Sequence, residues 1–419
     1  MLRILRETMW DEGSGLLATR WFPSLVLLIG ALLVGLALTA SVPGEAPGWG
    51  YDYKAFRTGA EMTAEGRLAE AYDPDAFLAA LSALDQGGED MFWMYPPHGS
   101  LLMAPLSLGS YAGAAFAFLA VIAGAIYAAG RLAGGAHRAG ALLLVFSVPS
   151  AFALLLGQAA PLFGALLVFA LLEGRTRPVL AGAALALVTV KPHYGLMVPL
   201  FLLCHGQWRV IAAAGAGTVA LVGLSLLSLG AEPWAAWIQN ADGPARAFIY
   251  DNLFASMPSF HQYLRLLGAP MSTANAAQAL AVPVGLLAVW ATRRLPYRQH
   301  VAATLLTTCA VMPYLWFYDW LPVMAAILIL GRGEADARPP LWLLATLWIA
   351  PLVSEVHEGT LGVTNASADL WAVNLINVGE VAALWGVIGW LVLAAWGRQP
   401  RRLAAPPLRA GEPTPSPAS

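Results

Sequence analysis

Two neighbouring stretches near the start of the chain decide the fold: residues 21–41 read WFPSLVLLIGALLVGLALTAS, and residues 50–54 read GYDYK. About 20 apolar residues are enough to cross a bilayer, so the first stretch predicts a transmembrane helix. The second places a carboxylate, Asp52, just beyond its end. Two interpretations remain open. Asp52 either caps a helix that begins at Tyr53, or serves as a general base for a hydroxyl at the membrane surface.

The composition of the whole chain is that of a membrane protein. Of its 419 residues, 58% are hydrophobic and only 11% are charged, whereas a soluble domain has about a quarter charged residues. A net charge of −2 and the lack of a basic stripe interleaved with aromatics give no reason to expect nucleic acid as a partner. Cys204 and Cys309 lie in or beside apolar segments, so no disulfide framework, metal site or cofactor is expected.

Apolar segments recur along the chain, and several are short or interrupted by Pro and Gly. Such segments are tolerated where protein or a water-filled cavity surrounds the exposed backbone. The sequence therefore predicts an all-α polytopic bundle of about 12 transmembrane helices, with short broken helices and outer-face loops. The apolar segments are 21–41, 98–109 (re-entrant or a half-helix), 111–130, 139–156, 160–173, 177–190, 194–205, 209–230, 275–292, 299–315, 318–331, 340–354 and 373–396.

The basic residues predict the orientation of this bundle. Seventeen of the 23 lie before the first segment, in alternate short loops or in the tail, and the positive-inside rule assigns these positions to the cytoplasm. Only two lysines stand against 21 arginines, a bias typical of bacteria with GC-rich genomes. A bacterial inner-membrane location is therefore expected. The predicted parts are a cytoplasmic segment 1–20, a membrane domain 21–396 with outer loops 42–97, 231–274 and 354–372, and a disordered cytoplasmic tail 397–419.

Lys191 and His193 are the sharpest polar signal within apolar sequence, in the stretch Lys191-Pro192-His193-Tyr194. An ionisable side chain at such a position predicts function, because an unpaired charge there is costly. The alternative is that Lys191 extends to the outer headgroups. A lysine and a histidine at a helix break suit a phosphate group.

Other polar positions carry weaker signals. His98 follows Tyr95-Pro96-Pro97 at the start of an apolar segment, where it could bind a phosphate or tune Asp52. Gly157-Gln158 is typical of a tight outer turn, and Asp73 of a helix cap. Asp319 lies in an aromatic belt and is either interfacial or facing a cavity. No Walker loop, GxGxxG, HExxH or nucleophile elbow is present, so neither a nucleotide-powered pump nor a soluble-type hydrolase is expected.

Taken in order, these motifs resemble glycosyltransferase family 87, formerly a domain of unknown function. The family contains the mycobacterial polyprenol-phosphate-mannose-dependent α-1,2-mannosyltransferases. The resemblance covers most of residues 15–395. The motifs that carry it are Tyr51-Asp52-Tyr53-Lys54-Ala55, Ala71-Tyr72-Asp73-Pro74, Tyr95-Pro96-Pro97-His98, Gly157-Gln158, Lys191-Pro192-His193-Tyr194-Gly195-Leu196, Trp208-Arg209, and Pro313-Tyr314 with Tyr318-Asp319.

The resemblance implies a GT-C fold with its active site at the outer membrane face and a polyprenyl-phosphate-linked hexose as donor. An Asp in the first outer loop is the catalytic base in that class, and Asp52 is the matching position. One departure is that Tyr318 stands where the mannosyltransferase branch has a His in its Ser-Pro…Trp-x-His motif. Mannose specificity is therefore not implied.

These expectations combine into an inverting, metal-independent transfer to a lipid or glycan acceptor, with no cofactor and with membrane lipids around the protein. Asp52 is the expected base. The runner-up is a transporter or flippase of a lipid-linked sugar, which explains broken helices equally well. The expected donor-phosphate ligands are Lys191, His193, His98 and His261, and the expected acceptor or sugar contacts are Tyr51, Tyr53, Tyr95, Arg246, Tyr318 and Asp319.

Overall fold

A computed structural model describes residues 50–83, 91–135, 138–240, 257–313, 315–333, 338–361 and 370–397. Within these ranges the chain is helical and contains no strand, so the all-α prediction is confirmed. The segments 1–20 and 21–41, most of the tail and Arg246 lie outside the described residues.

The α-helices of the described ranges are numbered in chain order, and four short 3-10 helices lie at Glu70–Tyr72, Ala104–Ser107, Pro192–Gly195 and Phe317–Asp319. The α-helices are α1 (Tyr51–Ala64), α2 (Pro74–Ala83), α3 (Pro97–Met103), α4 (Tyr111–Ala133), α5 (Arg138–Val145), α6 (Val148–Leu156), α7 (Ala160–Glu173), α8 (Pro178–Val188), α9 (Val198–Cys204), α10 (Trp208–Leu229), α11 (Glu232–Gln239), α12 (Phe260–Leu266), α13 (Met271–Thr292), α14 (Tyr297–Val311), α15 (Leu321–Gly331), α16 (Leu341–Leu361) and α17 (Leu370–Gly397).

Four helices in the described part are long and apolar enough to cross a membrane: α4, α10, α13 and the Val378–Gly397 part of α17. Shorter apolar helices accompany them, among them α7, α8 and α15. Twelve crossings therefore stay a prediction. The expected half-helix at 98–109 is α3 followed by the 3-10 turn Ala104–Ser107.

The segment 139–156, expected to be continuous, is broken into α5 and α6. Ser147 precedes α6 in extended conformation and Pro149 lies in its first turn. In a continuous helix, proline has no N–H to donate to the carbonyl of Val145, and its ring would clash with that carbonyl. The break follows from these two effects.

Helices α14 and α15 form the centre of the bundle. Every residue from Gln299 to Val311 and from Leu321 to Gly331 is buried, which is the pattern of helices surrounded by other helices. Helix α10 lies at the periphery, where Val219 and Leu227 are 73% and 88% exposed. Large apolar side chains at such exposure suit a surface that faces lipid.

Helix α1 is fixed to the bundle through its arginine. Arg57 donates from Nη1 to the Leu106 carbonyl at 2.7 Å and pairs with Glu61 one turn along. Phe56 packs tilted on Tyr95, with ring centroids 5.3 Å apart. These contacts hold the first turn of α1 in one position against the segments that follow.

Two local predictions for this region have opposite outcomes. The helix begins at Tyr51 rather than Tyr53, with Gly50 at the N-cap in the left-handed region at φ 74°. The interpretation of Asp52 as an N-cap is therefore wrong. Asp73 does cap α2, because its Oδ1 accepts from the Ala76 N–H at 2.9 Å.

Candidate active site

Asp52 lies in the first turn of α1, half-buried, with its carboxylate turned toward the end of α6. Its Oδ2 accepts a hydrogen bond from Gln158 Nε2 at 2.8 Å. Removal of water raises the pKa of Asp52 to about 6, and the hydrogen bond from Gln158 and the charge of Lys191 oppose that rise. A carboxylate with a pKa near the working pH is both ionised at neutral pH and basic enough to take a proton.

Gln158 reaches Asp52 because the turn after α6 packs directly on the start of α1. Gly157 adopts φ 73°, and a Cβ at this position would lie 2.6 Å from the Cβ of Tyr53. Only glycine fits both the backbone conformation and the space. The Gly50 N–H donates to the Leu155 carbonyl at 2.8 Å, which ties the two helix ends together.

A buried ion pair lies at the break between α8 and α9. Lys191 Nζ is 2.7 Å from Asp319 Oδ1, with the two side chains 12% and 2% exposed. The same oxygen accepts from the Tyr194 hydroxyl at 2.7 Å, and Asp319 Oδ2 accepts from the Trp316 N–H at 3.3 Å. The interpretation of Lys191 as extended to the headgroups is therefore wrong, because its charge is paired inside the protein.

The ion pair and the Asp52 carboxylate belong to one site. The charge of Lys191 lowers the pKa of Asp52 and that of Asp319 raises it. The Tyr95 hydroxyl lies 3.4 Å from Gln158 Oε1, and the pKa of Tyr95 is raised by burial and then by both carboxylates. We call Asp52, Tyr95, Gln158, Lys191 and Asp319 the carboxylate–lysine cluster.

Comparison with known proteins gives one match. The sequence model of glycosyltransferase family 87 matches residues 93–317, more than half of the chain. The chain belongs to glycosyltransferase family 87. No curated protein and no solved structure matches it.

Membership of family 87 makes the chain a membrane glycosyltransferase. The matched region is narrower than the resemblance expected over 15–395. It contains Tyr95, Gln158 and Lys191, whereas Asp52 lies before its start and Asp319 two residues beyond its end. The cluster is therefore completed by side chains from outside the matched region.

Three further predicted residues border the cluster of this family 87 enzyme. The ammonium of Lys191 lies 5.7 Å from the centre of the Tyr318 ring. His193 is half-buried, with its ring 5.3 Å from that of Tyr194. His98 is buried, stacks on Trp234 and has Nε2 3.1 Å from Thr189 Oγ1, two residues before Lys191.

His261 lies elsewhere. Its backbone N–H donates to Gln278 Oε1 at 3.2 Å, and its ring Nε2 lies 3.2 Å from the sulfur of Met271. Gln278 in turn donates to the Val311 and Met312 carbonyls. The structure thus links His261 to α13 and the end of α14, and its expected role as a donor-phosphate ligand stays a prediction.

The two tyrosines beside Asp52 have different surroundings in the structure. Tyr53 is 1% exposed and packs edge-on against Tyr111, with ring centroids 5.1 Å apart. The ring thus packs inside the protein, and the sugar contact expected at Tyr53 stays a prediction. Tyr51 is half-buried, and the Lys54 ammonium lies 5.7 Å from its ring centre.

Gln158 is the cluster residue to which the sequence assigned no chemical role. The turn expected at Gly157-Gln158 is present, but its contact with Asp52 joins residues 106 positions apart. The sequence signal for Gln158 was its position as a polar side chain between two apolar segments. Among the described residues, no group of three or more His, Cys, Asp or Glu side chains could hold a metal ion.

Proposed function

We propose that this membrane glycosyltransferase moves a hexose from a polyprenyl-phosphate donor to a lipid or glycan hydroxyl at the outer face of a bacterial inner membrane, with inversion. The observation that carries the proposal is the Asp52 carboxylate, with its raised pKa, beside the buried ammonium of Lys191. This pairing offers a proton acceptor and a cation to one reaction centre. The orientation rests on the distribution of arginines.

Asp52 is the general base of the proposed reaction. The acceptor hydroxyl approaches the carboxylate, which takes its proton while the oxygen forms a bond to the anomeric carbon. General-base assistance of this kind contributes about 10²–10⁴-fold to a rate. Because burial raises the pKa of Asp52 to about 6, the base is ionised at neutral pH. Activity should fall as the pH drops through about 6.

Lys191 is the proposed partner of the leaving group. As the bond between the anomeric carbon and the phosphate oxygen breaks, its electron pair leaves with the polyprenyl phosphate, and negative charge grows there. A cation already fixed in the site stabilises this charge without moving. Lys191 is such a cation, since Asp319 and the break at Pro192–Gly195 hold it in place. His193 and His98 are the proposed assisting groups.

The test is a transfer assay with a defined donor. Purified protein in lipid vesicles receives a radiolabelled polyprenyl-phosphate hexose and a membrane extract as acceptor. The wild type should form a labelled glycosidic product, and Asp52→Asn should lose about 10²-fold or more of the rate. Asp75→Asn is the matched control, because Asp75 lies in the first turn of α2 and is exposed.

Two outcomes would contradict the proposal. Near-wild-type transfer by Asp52→Asn would remove Asp52 as the base. Movement of labelled donor across the vesicle membrane without any glycosidic product would favour a flippase instead.

A further inference from the structure

The environment of Gln158 shows how the base is held. Gln158 is 6% exposed, and its side-chain amide lies between two partners, Asp52 on one side and Tyr95 on the other. An ionised carboxylate only accepts hydrogen bonds, so the NH₂ group must face Asp52 and the carbonyl must face the Tyr95 hydroxyl. The chemistry of the two neighbours thus fixes the amide in one orientation.

The Gln158 contact uses only one oxygen of the carboxylate. Oδ2 of Asp52 accepts from Gln158 Nε2 at 2.8 Å, and within the described part of the chain no hydrogen bond reaches Oδ1. A general base needs one lone pair free for the hydroxyl it deprotonates. The arrangement leaves that lone pair on Oδ1.

The backbone around Gln158 is fixed in the same place. The backbone of Gly157 packs against Tyr53, and the Gly50 N–H, just before α1, donates to the Leu155 carbonyl at the end of α6. The Gln158 N–H itself closes α6 by bonding the Ala153 carbonyl at 2.8 Å. A side chain on a backbone held at both ends loses little entropy when it binds its partner.

We infer that Gln158 is a positioning residue: its amide, whose carbonyl oxygen accepts from the Tyr95 hydroxyl, clamps Oδ2 of Asp52 and presents Oδ1 to the acceptor hydroxyl. The inference rests on the proposed function and adds to it the residue that aims the base. A base oriented by a third group is a recurring feature of enzymes that activate a hydroxyl.

The direct test is Gln158→Leu, which keeps approximate size and removes the amide. A misplaced base costs up to about 10²-fold in rate, so kcat should fall while KM for the donor changes little. The lost hydrogen bond had favoured the ionised carboxylate. The acidic limb of the pH–rate profile should therefore move up by about one unit. A purely structural role for Gln158 would lower the amount of folded protein without moving this limb.

Gln158→Glu is the second variant, because it is isosteric and keeps the turn filled. Two neighbouring carboxylates cannot both ionise easily, so the acidic limb should move further up than in Gln158→Leu. The plateau kcat at high pH should stay below that of the wild type, because an ionised Glu cannot donate to Oδ2 of Asp52. Gln207→Leu is the matched control: Gln207 is 8% exposed and likewise bonds a tyrosine hydroxyl, that of Tyr297, at 3.1 Å. The acidic limb of the pH–rate profile of Gln207→Leu should match that of the wild type.

The outcomes separate this inference from the proposed function. A wild-type plateau kcat in either Gln158 variant would overturn the positioning role. If Asp52→Asn is inactive in the same assay, only the role of Gln158 fails. If Asp52→Asn is active, the proposed base itself fails. Should Gln158→Leu not fold, Gln158→Glu decides alone.

Discussion

Replacement of Asp52 by Asn should make the protein more stable while making it inactive. Burial raises the pKa of Asp52 from 3.8 to about 6, so the folded carboxyl group holds its proton more tightly than the unfolded one. The free energy of unfolding therefore decreases as the pH rises from about 4 to about 6, and above this window the whole cost of the buried charge is present. The uncharged Asn removes that cost.

The magnitude follows from the size of the shift. About 2 pKa units correspond to about 3 kcal/mol. Against this, Asn loses the interaction of a carboxylate with the helix N-terminus, about 0.3–1 kcal/mol. The net gain at pH 7.5 is about 2 kcal/mol. With an unfolding entropy of about 2 cal/mol/K for each of 419 residues, this gain raises Tm by about 2 °C.

Thermal unfolding in detergent, followed by the fluorescence of the 16 tryptophans, measures the effect. The Tm difference between Asp52→Asn and wild type should be larger at pH 7.5 than at pH 5. Asp75→Asn controls for the loss of an exposed acid and should show no such trend. An Asp52→Asn protein that is no more stable than wild type at pH 7.5 would refute the reasoning.

Two further predictions concern the surroundings of the base. Lys191→Met should abolish transfer and lower the free energy of unfolding by about 3–5 kcal/mol, because it leaves the charge of Asp319 unpaired. The double variant with Asp319→Asn should regain Tm but not turnover. An equally unstable double variant would argue against a buried pair. Gly157→Ala should lower both Tm and kcat, because the added Cβ meets Tyr53; unchanged kinetics would mean that the turn does not position the base.

Local sequence pattern was sufficient for most of the helices. The segment expected at 160–173 is α7 with the same bounds, and the segments expected at 111–130 and 209–230 are within three residues of α4 and α10 at each end. Length of apolar run, together with Pro and Gly at its ends, determines where such helices begin and end. These signals lie within a few residues of the feature they predict.

The contacts that build the candidate site could not be predicted from local sequence pattern. Lys191 and Asp319 are 128 positions apart, and Asp52 and Gln158 are 106 apart. A local rule assigned Asp52 to a helix cap, but the tertiary contact with Gln158 takes its carboxylate instead. The sequence indicated which residues were chemically unusual, and only the packing of helix ends decided which of them meet.

The ends of helices and the breaks between them supply the residues of the proposed site. Asp52 follows the bend at Gly50, Gln158 follows Gly157, Lys191 follows the end of α8, and Asp319 closes the 3-10 turn before α15. Each break frees backbone groups that must be satisfied within protein or water, which keeps it away from lipid. A carrier would need these breaks to open toward both faces. The backbone bond from Gly50 to Leu155 and the ion pair at Asp319 hold them together, which favours chemistry at one fixed position.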